Sequence, residues 1–307
     1  MQYSPIALFT YSRADHTRQA VESLLKNVEA RDSELFIFSD GPKTEEKRAA
    51  VEETRRYIHT ISGFKSITIV EREKNWGLAN SLIVGITEIV NKYGRVIVVE
   101  DDLIVSPYFL KFMNDAIEKY EDEDKVGAVC AYLPNMECNL PENFFITFMH
   151  PWGWATWKRS WDLLNTDTKY LLRKLRFKAN EYDIGSGQYG SLLCQKYGLV
   201  DSWYVRFYAS LFLKDKLIFY PGKSLISNIG LDGSGTHCRV PHDDRIYGHA
   251  SSEKIQIEDN IEIVKNSHVT KCYINFFKSS NKQPKNVACY FNIIKGFIRR
   301  ILYIDCL

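Results

Sequence analysis

Five short apolar or β-branched runs recur about every thirty residues along the first part of the chain: Ile6 to Thr10, Leu35 to Ser39, Ser66 to Val70, Val96 to Val99 and Val126 to Cys130. Runs of this length, bounded by polar or turn-forming residues, predict buried strands. Between them lie helix-length patterns with start signals: Asp15 ahead of Ala20, Val21, Leu24 and Leu25; Thr44 ahead of an acidic first turn; and Ser106-Pro107 ahead of Phe109, Phe112 and Met113. Such β-α alternation predicts an α/β fold with a mostly parallel, Rossmann-like sheet flanked by helices. Its ligands are expected beyond the carboxyl ends of the strands.

The rhythm stops after Cys130. Four of the six tryptophans fall between Trp152 and Trp161, a short strand is predicted over Leu217 to Tyr220, and a glycine-rich stretch runs from Gly230 to Gly235. Near the end, Ile293, Ile294, Phe297, Ile298, Ile301 and Leu302 share one helical face, with Lys295 and Arg299 on another. The expected organisation is one domain over residues 1–270, with a ligand-binding half (1–131) and an aromatic half (132–270), followed by a basic amphipathic tail (271–307).

Composition narrows the class. The 307 residues are 45% apolar and 25% charged, as in a soluble globular protein. A formal charge of +2 is too balanced to make nucleic acid the main partner. The charge is unevenly placed, with seven Lys and Arg and no acid from Lys271 to Arg300. A tail of this kind fits attraction to an anionic membrane surface, and equally a terminal helix packed on the domain. Seven scattered cysteines without a C-x-x-C pair argue against a disulfide framework or a structural zinc site and predict a reducing cytosol. Neither a signal peptide nor a membrane-spanning run is expected.

The most informative chemistry lies in Arg95 to Pro107, where Glu100, Asp101 and Asp102 end a strand expected to be buried on both faces. Three adjacent carboxylates repel one another, and a divalent cation with oxygen ligands relieves that repulsion. Arg13, just beyond the first strand, is placed to neutralise a diphosphate or to form a surface salt bridge. Asp40, beyond the second, is placed to accept the N3 hydrogen of uracil or to shape an Asp-Gly-Pro turn. Trp152, Trp154 and Trp157 fit either sugar stacking or core packing. Two motif-like segments fail: Gly185 to Gly190 follows a polar run rather than a strand and predicts a flexible loop, and Gly222-Lys223-Ser224 lacks the first glycine of a phosphate-binding loop.

Taken in order, these segments resemble metal-dependent glycosyltransferases of the GT-A fold, particularly the N-acetylglucosaminyltransferase I type and bacterial family 2 relatives that build surface polysaccharides. The resemblance covers roughly residues 4–240. It rests on Val98 to Phe109 as an acidic metal motif with its following helix, Pro5 to Arg13 as first strand and nucleotide loop, Phe38 to Gly41, Asn75 to Ala79, and Trp152-Gly153-Trp154.

The resemblance implies a nucleotide-sugar donor, with a UDP-sugar favoured, and a glycan acceptor, for which a lipid-linked glycan fits the basic tail. It implies donor contacts from Thr10, Tyr11, Arg13, Asp40, Asn75, Gly77, Glu100 and Asp101, and acceptor contacts from Trp152, Trp154 and Trp203. Mn²⁺ or Mg²⁺ would be held by Asp102 and His237. An inverting reaction needs a carboxylate base, for which Asp201 and Asp232 are the candidates and Asp201 is preferred. Asp201-Ser202-Trp203 is similar to an Asp-Asp-Trp element of the family, yet the family's base position falls on Ser202. The alternatives are a metal-dependent nucleotidyltransferase, whose Gly-rich, basic phosphate loop is missing near Tyr11 to Asp15, and a catalytically silent carbohydrate-binding module, for which intact acids are unnecessary. The expected location is the cytoplasm, peripheral to the inner face of the membrane.

Overall fold

A computed structural model describes residues 3–232 and 248–280. The five expected strands form as β1 (Ile6–Thr10), β2 (Glu34–Ser39), β3 (Ser66–Glu71), β4 (Arg95–Glu100) and β6 (Val126–Cys130), interleaved with α1 (Ala14–Leu25), α2 (Glu45–Ile58), α3 (Leu78–Tyr93) and α4 (Phe109–Lys119). Thr44 is the N-cap of α2, as its position suggests. Before α4 the cap is Tyr108, and the Ser106 hydroxyl instead accepts the Tyr108 N–H at 3.2 Å, forming the turn that leads into the helix.

The main sheet has eight strands in the order β3-β2-β1-β4-β8-β6-β9-β7, where β7 is Asn143–Ile146, β8 Trp154–Trp157 and β9 Leu217–Pro221. Parallel pairing joins β3, β2, β1 and β4, and also β6 with β9, whereas β8 and β7 run antiparallel to their neighbours. Strand β8 lies between β4 and β6, so the two halves of the chain share one sheet. A two-stranded sheet pairs β5 (Leu103–Val105) with β10 (Ile226–Asn228).

Alternation along the strands divides the core. Ala7, Phe9, Val96 and Val98 face α3 and α9 (Trp203–Phe212), whereas Ile6, Leu8, Ile97 and Val99 face α1 and α4. Buried on both faces, these strands read as continuous apolar runs rather than alternating ones. Trp154 and Trp157 of β8 are 0% and 2% exposed and belong to opposite cores; Trp157 donates through Nε1 to the Ile117 carbonyl at 3.2 Å. Neither presents a ring face to a sugar, and Trp154 is thereby removed from the expected acceptor contacts.

Two expectations about organisation change. Helix α10 (Ser267–Ser280) runs across the expected boundary at residue 270, burying Val269 and Tyr273 against the domain. Its Cys272 is disulfide-bonded to Cys138, 134 positions earlier, contrary to the expectation of unpaired cysteines. No local spacing announces such a pair, because docking of the helix brings the sulfurs together. The segment Gly185 to Gly190 is the turn between α7 (Ala179–Asp183) and α8 (Gln188–Lys196) and the first turn of α8, with Gly185 and Gly187 at positive φ. His237 and the amphipathic stretch 291–302 lie outside the described residues. Among the described residues, no helix is long and apolar enough to cross a membrane.

Candidate functional site

Parallel register brings four strand ends into one row. Phe9 pairs with Glu100, Thr10 with Ser39, and Ser39 with Glu71, so residues immediately beyond β1, β2, β3 and β4 meet at the carboxyl edge of the sheet. This is where a βα architecture places its ligands, since each strand delivers a loop and a helix N-terminus to the same edge.

Arg13, the N-cap of α1, reaches across this edge. Its Nη2 donates to Asp101 Oδ1 and, at 2.8 Å, to Asp102 Oδ2. Burial disfavours the charge of this guanidinium, but the two aspartates outweigh it and raise its pKa further. One arginine does not neutralise three acids. Burial, reinforced by Asp102 and Asp101, pushes the Glu100 carboxyl up to about 8. Burial likewise lifts Asp101 to about 6, with Arg13 opposing the shift and Asp102 adding to it. An oxygen-only donor set of three adjacent acids, Asp101 buried and Glu100 and Asp102 partly exposed, fits a hard divalent cation such as Mn²⁺ or Mg²⁺.

The edge is covered from the far end of the domain. Antiparallel pairing of β10 with β5 continues into a 2.9 Å bond from the Ile229 N–H to the Asp102 carbonyl. Gly230 then passes so close that a Cβ there would collide with Asp102 Oδ2, so only glycine allows this approach. Two residues later the Asp232 carboxylate lies 3.3 Å from His16 Nε2 on α1.

Of the two roles expected of Asp40, its hydrogen bonds in the structure are those of a turn and loop anchor. Its carboxylate accepts the N–H groups of Gly41 (2.9 Å), Trp76 (2.8 Å) and Gly77 (2.9 Å), and the residue is 6% exposed. Three of roughly four acceptor positions are therefore taken by backbone. Asp40 caps the start of α3, where a negative charge is favoured, and holds the loop Lys74 to Gly77 in place. Asn75 joins the same knot, donating to the Gly41 carbonyl at 2.8 Å. Thr10 is turned inward, its hydroxyl 2.8 Å from that of Thr17, and the Tyr11 hydroxyl accepts the Lys43 N–H at 2.9 Å.

Beside the acids opens a cavity of about 410 Å³, whose wall includes Glu100, His150, Trp152, Asp201, Trp203 and Phe277. Trp203 lies against Trp154 at a ring separation of 4.9 Å, so the buried tryptophan serves as its backing. Trp152 stands edge-on to Tyr132 at 4.5 Å. Asp201 is held by Arg206 Nη2 at 2.9 Å and Gln195 Nε2 at 3.3 Å, and Ser202 is the N-cap of α9, accepting the Val205 N–H. Asp201 thus opens on the same cavity as Glu100, while Asp232 is not among its lining residues.

Three residues of this region carry no signal that sequence reasoning used. His150 lines the cavity, burial pushes its imidazole down to about 3, and its Nε2 has no hydrogen-bond partner. Phe277 arrives from α10. Arg72, at the end of β3, stacks 3.8 Å from the centroid of Trp76, beside the donor row. A histidine directly before Pro151-Trp152 was the one available hint, since it adjoins a segment already singled out.

With the sheet and its acid-bearing edge described, comparison with known proteins assigns the family. The pattern that defines glycosyl transferase family 2 matches residues 6–170, and the chain belongs to that family. The sheet is accordingly of the GT-A type, and the match does not single out the N-acetylglucosaminyltransferase I kind. Among solved structures, the chain is similar to the mannosyltransferase PcManGT from Pyrobaculum calidifontis in complex with GDP-Man and Mn²⁺. Identity is 18%, the match covers 56% of this chain and 46% of that one, and the TM-score is 0.37. TarS from S. aureus is 14% identical over 76% of this chain and 37% of its own, with a TM-score of 0.40. The chain spans less than half the length of either structure. No curated protein matches it.

Proposed function

We propose that the chain is a metal-dependent, inverting glycosyltransferase that moves a hexosyl or N-acetylhexosaminyl group from a nucleoside diphosphate sugar to a glycan. Membership of glycosyl transferase family 2 supports the reaction class. The observation that carries the mechanism is that Glu100 and Asp201 line one cavity, with Asp102 two residues beyond Glu100 on the strand edge.

Asp102, with Asp101 and Glu100 behind it, would hold Mn²⁺ or Mg²⁺. When bound, the cation supplies Lewis-acid neutralisation of the leaving diphosphate. Arg13 adds a fixed positive charge at the same edge. Asp201 takes the proton of the acceptor hydroxyl as its oxygen bonds to the anomeric carbon; the bond from that carbon to phosphate oxygen breaks, and its electrons leave with the diphosphate. Trp152, partly exposed, offers an apolar face for the sugar of the acceptor, and Trp203, 3% exposed, supports the cavity wall behind it. Asp232, beside His16, is the weaker base candidate because it stands on the donor side.

A UDP-sugar is the donor that the family resemblance favours, and Asp40 adds no support because its carboxylate is engaged by backbone. The further setting we propose is bacterial surface polysaccharide synthesis on a lipid-linked acceptor, by a cytoplasmic protein peripheral to the membrane. It is supported by the basic excess from Lys271 to Arg300. The test is a screen of UDP-, GDP-, dTDP- and CMP-sugars for binding with and without Mn²⁺, followed by NMR of the product. Metal-dependent binding of one donor and an inverted anomeric centre are expected. Metal-independent binding of every donor, or retained configuration, would overturn the reading.

A further inference from the structure

Among the described residues, one cluster of side chains away from the acid-bearing edge and its cavity has metal-ligand chemistry. Cys138, His268 and Cys272 each offer a ligand atom, and these atoms all lie within 4.8 Å of one another. His268 and Cys272 stand four residues apart on α10 and so share a helix face, while Cys138 comes from the segment between β6 and β7. His268 Nε2 lies 3.5 Å from Cys138 Sγ and 3.8 Å from Cys272 Sγ. In the disulfide form the same nitrogen donates to the Asn139 carbonyl at 3.0 Å, a bond that metal binding would replace as the ring proton moves to Nδ1.

These separations match a tetrahedral zinc site. With Zn–S near 2.3 Å and Zn–N near 2.0–2.1 Å, the sulfur-to-nitrogen edges of the tetrahedron are about 3.6 Å and the sulfur-to-sulfur edge about 3.8 Å. Both sulfur-to-nitrogen edges are already in place, and only the two sulfurs have to part. His268 is exposed, which leaves the fourth corner to water, and Cys138 also lines a second cavity of about 490 Å³ open to solvent.

We propose that Cys138, Cys272 and His268 form a Cys₂His site for Zn²⁺ when the disulfide is reduced, and that disulfide and metal are alternative fasteners of α10. Reduction by a dithiol converts the Cys138–Cys272 bond to two thiols and the dithiol to its own cyclic disulfide. Zn²⁺ then binds both sulfurs as thiolates and the neutral His268 through Nε2, with the ring proton on Nδ1, releasing two protons. Both forms hold the same helix. The buried ring of Tyr273 packs against Phe148 and His150 at 5.5 and 5.7 Å, and Phe277 lines the cavity beside the acids, so the fastener sets one wall of the proposed acceptor site. In a reducing compartment a disulfide does not persist, whereas a thiolate–zinc site does.

The experiment uses the full chain, reduced with a phosphine, desalted without oxygen and titrated with Co²⁺ and then Zn²⁺. Expected are thiolate-to-cobalt charge-transfer and tetrahedral d–d bands saturating at one Co²⁺ per chain and bleached by Zn²⁺. Affinity should fall at least about tenfold in His268→Ala and in Cys138→Ser. Because His268 is exposed and its loss leaves both sulfurs, that variant keeps the test valid if Cys138→Ser fails to fold. A second readout needs no variant: Zn²⁺ should slow alkylation of Cys138 and Cys272 in the reduced wild type, mapped by mass spectrometry. Absence of the cobalt bands, unchanged affinity in His268→Ala, or equal alkylation with and without Zn²⁺ would each overturn the proposal.

Discussion

The acid-bearing strand edge and the cavity beside it are built in different ways. At the edge, each polar side chain of the row follows its strand by a few residues: Arg13 after β1, Asp40 after β2, Arg72 after β3 and Asp102 after β4. Short βα units carry them, and the parallel register does the rest. The cavity is assembled from distant pieces. Glu100, Trp152, Asp201 and Phe277 line it together, and its inner support includes the Tyr204 hydroxyl donating to the Met149 carbonyl, 55 residues away. The difference implies that damage at the edge should stop chemistry while sparing the fold. Damage to the connections around it should alter stability and positioning together.

The sharpest way to break this contrast is Asp102→Ala, which should reduce transfer to background while the thermal midpoint of the metal-free chain stays near that of wild type. Near-normal turnover, or wild-type activity that survives excess chelator, would dismiss the cation. Next in size, Asp201→Asn keeps shape and removes basicity, and should slow transfer by about 10² to 10⁴. Asp232→Asn should cost less than about tenfold. The reverse ranking in single-turnover assays would move the base to the donor side.

A smaller effect belongs to the knot beneath the edge. Asp40→Ala leaves the Gly41, Trp76 and Gly77 N–H groups without their acceptor and should lower stability by about 2–3 kcal/mol in urea unfolding. A destabilisation near zero would show that this loop holds itself and would return Asp40 to the pool of direct donor contacts.

Smallest is a pH effect from Glu100, because solvent in the cavity it lines screens the partly exposed carboxyl. Its folded pKa, about 8, lies above its ordinary value of 4.5, so between those values the folded chain keeps a proton that the unfolded chain has lost. This stabilising contribution is full below about 4.5 and disappears as pH rises through about 8. Glu100→Gln does not titrate. The variant should therefore gain on the wild type across that window, by a few degrees in thermal midpoint without metal, and added Mn²⁺ should narrow the gap. A difference independent of pH would mean that solvent or neighbouring groups relieve the carboxyl.

The same contrast explains what was legible from sequence. β1 and β6 coincide with their apolar runs, because a strand buried on both faces is a local signal. The acid row was legible because three carboxylates at a buried strand end are anomalous on any fold. β8 was not, since Trp154-Ala-Thr-Trp157 fits an exposed sugar platform as well as a core strand until its neighbours are known. Asp40 was located correctly in the chain but its partners, Trp76 and Gly77, lie 36 and 37 residues away. The Cys138–Cys272 bond depends on where a late helix docks, and spacing carries no trace of it.

The pairing of β5 with β10 also has a bearing on biosynthesis. Val105 leaves the ribosome more than a hundred residues ahead of its partner Ile226. Through that interval the nascent chain carries Glu100 to Asp102 with β5 unpaired and no Gly230 segment above Asp102. The acid motif is translated well before the segment that covers it, so a fragment ending after β5 would still lack the Gly230 segment over Asp102.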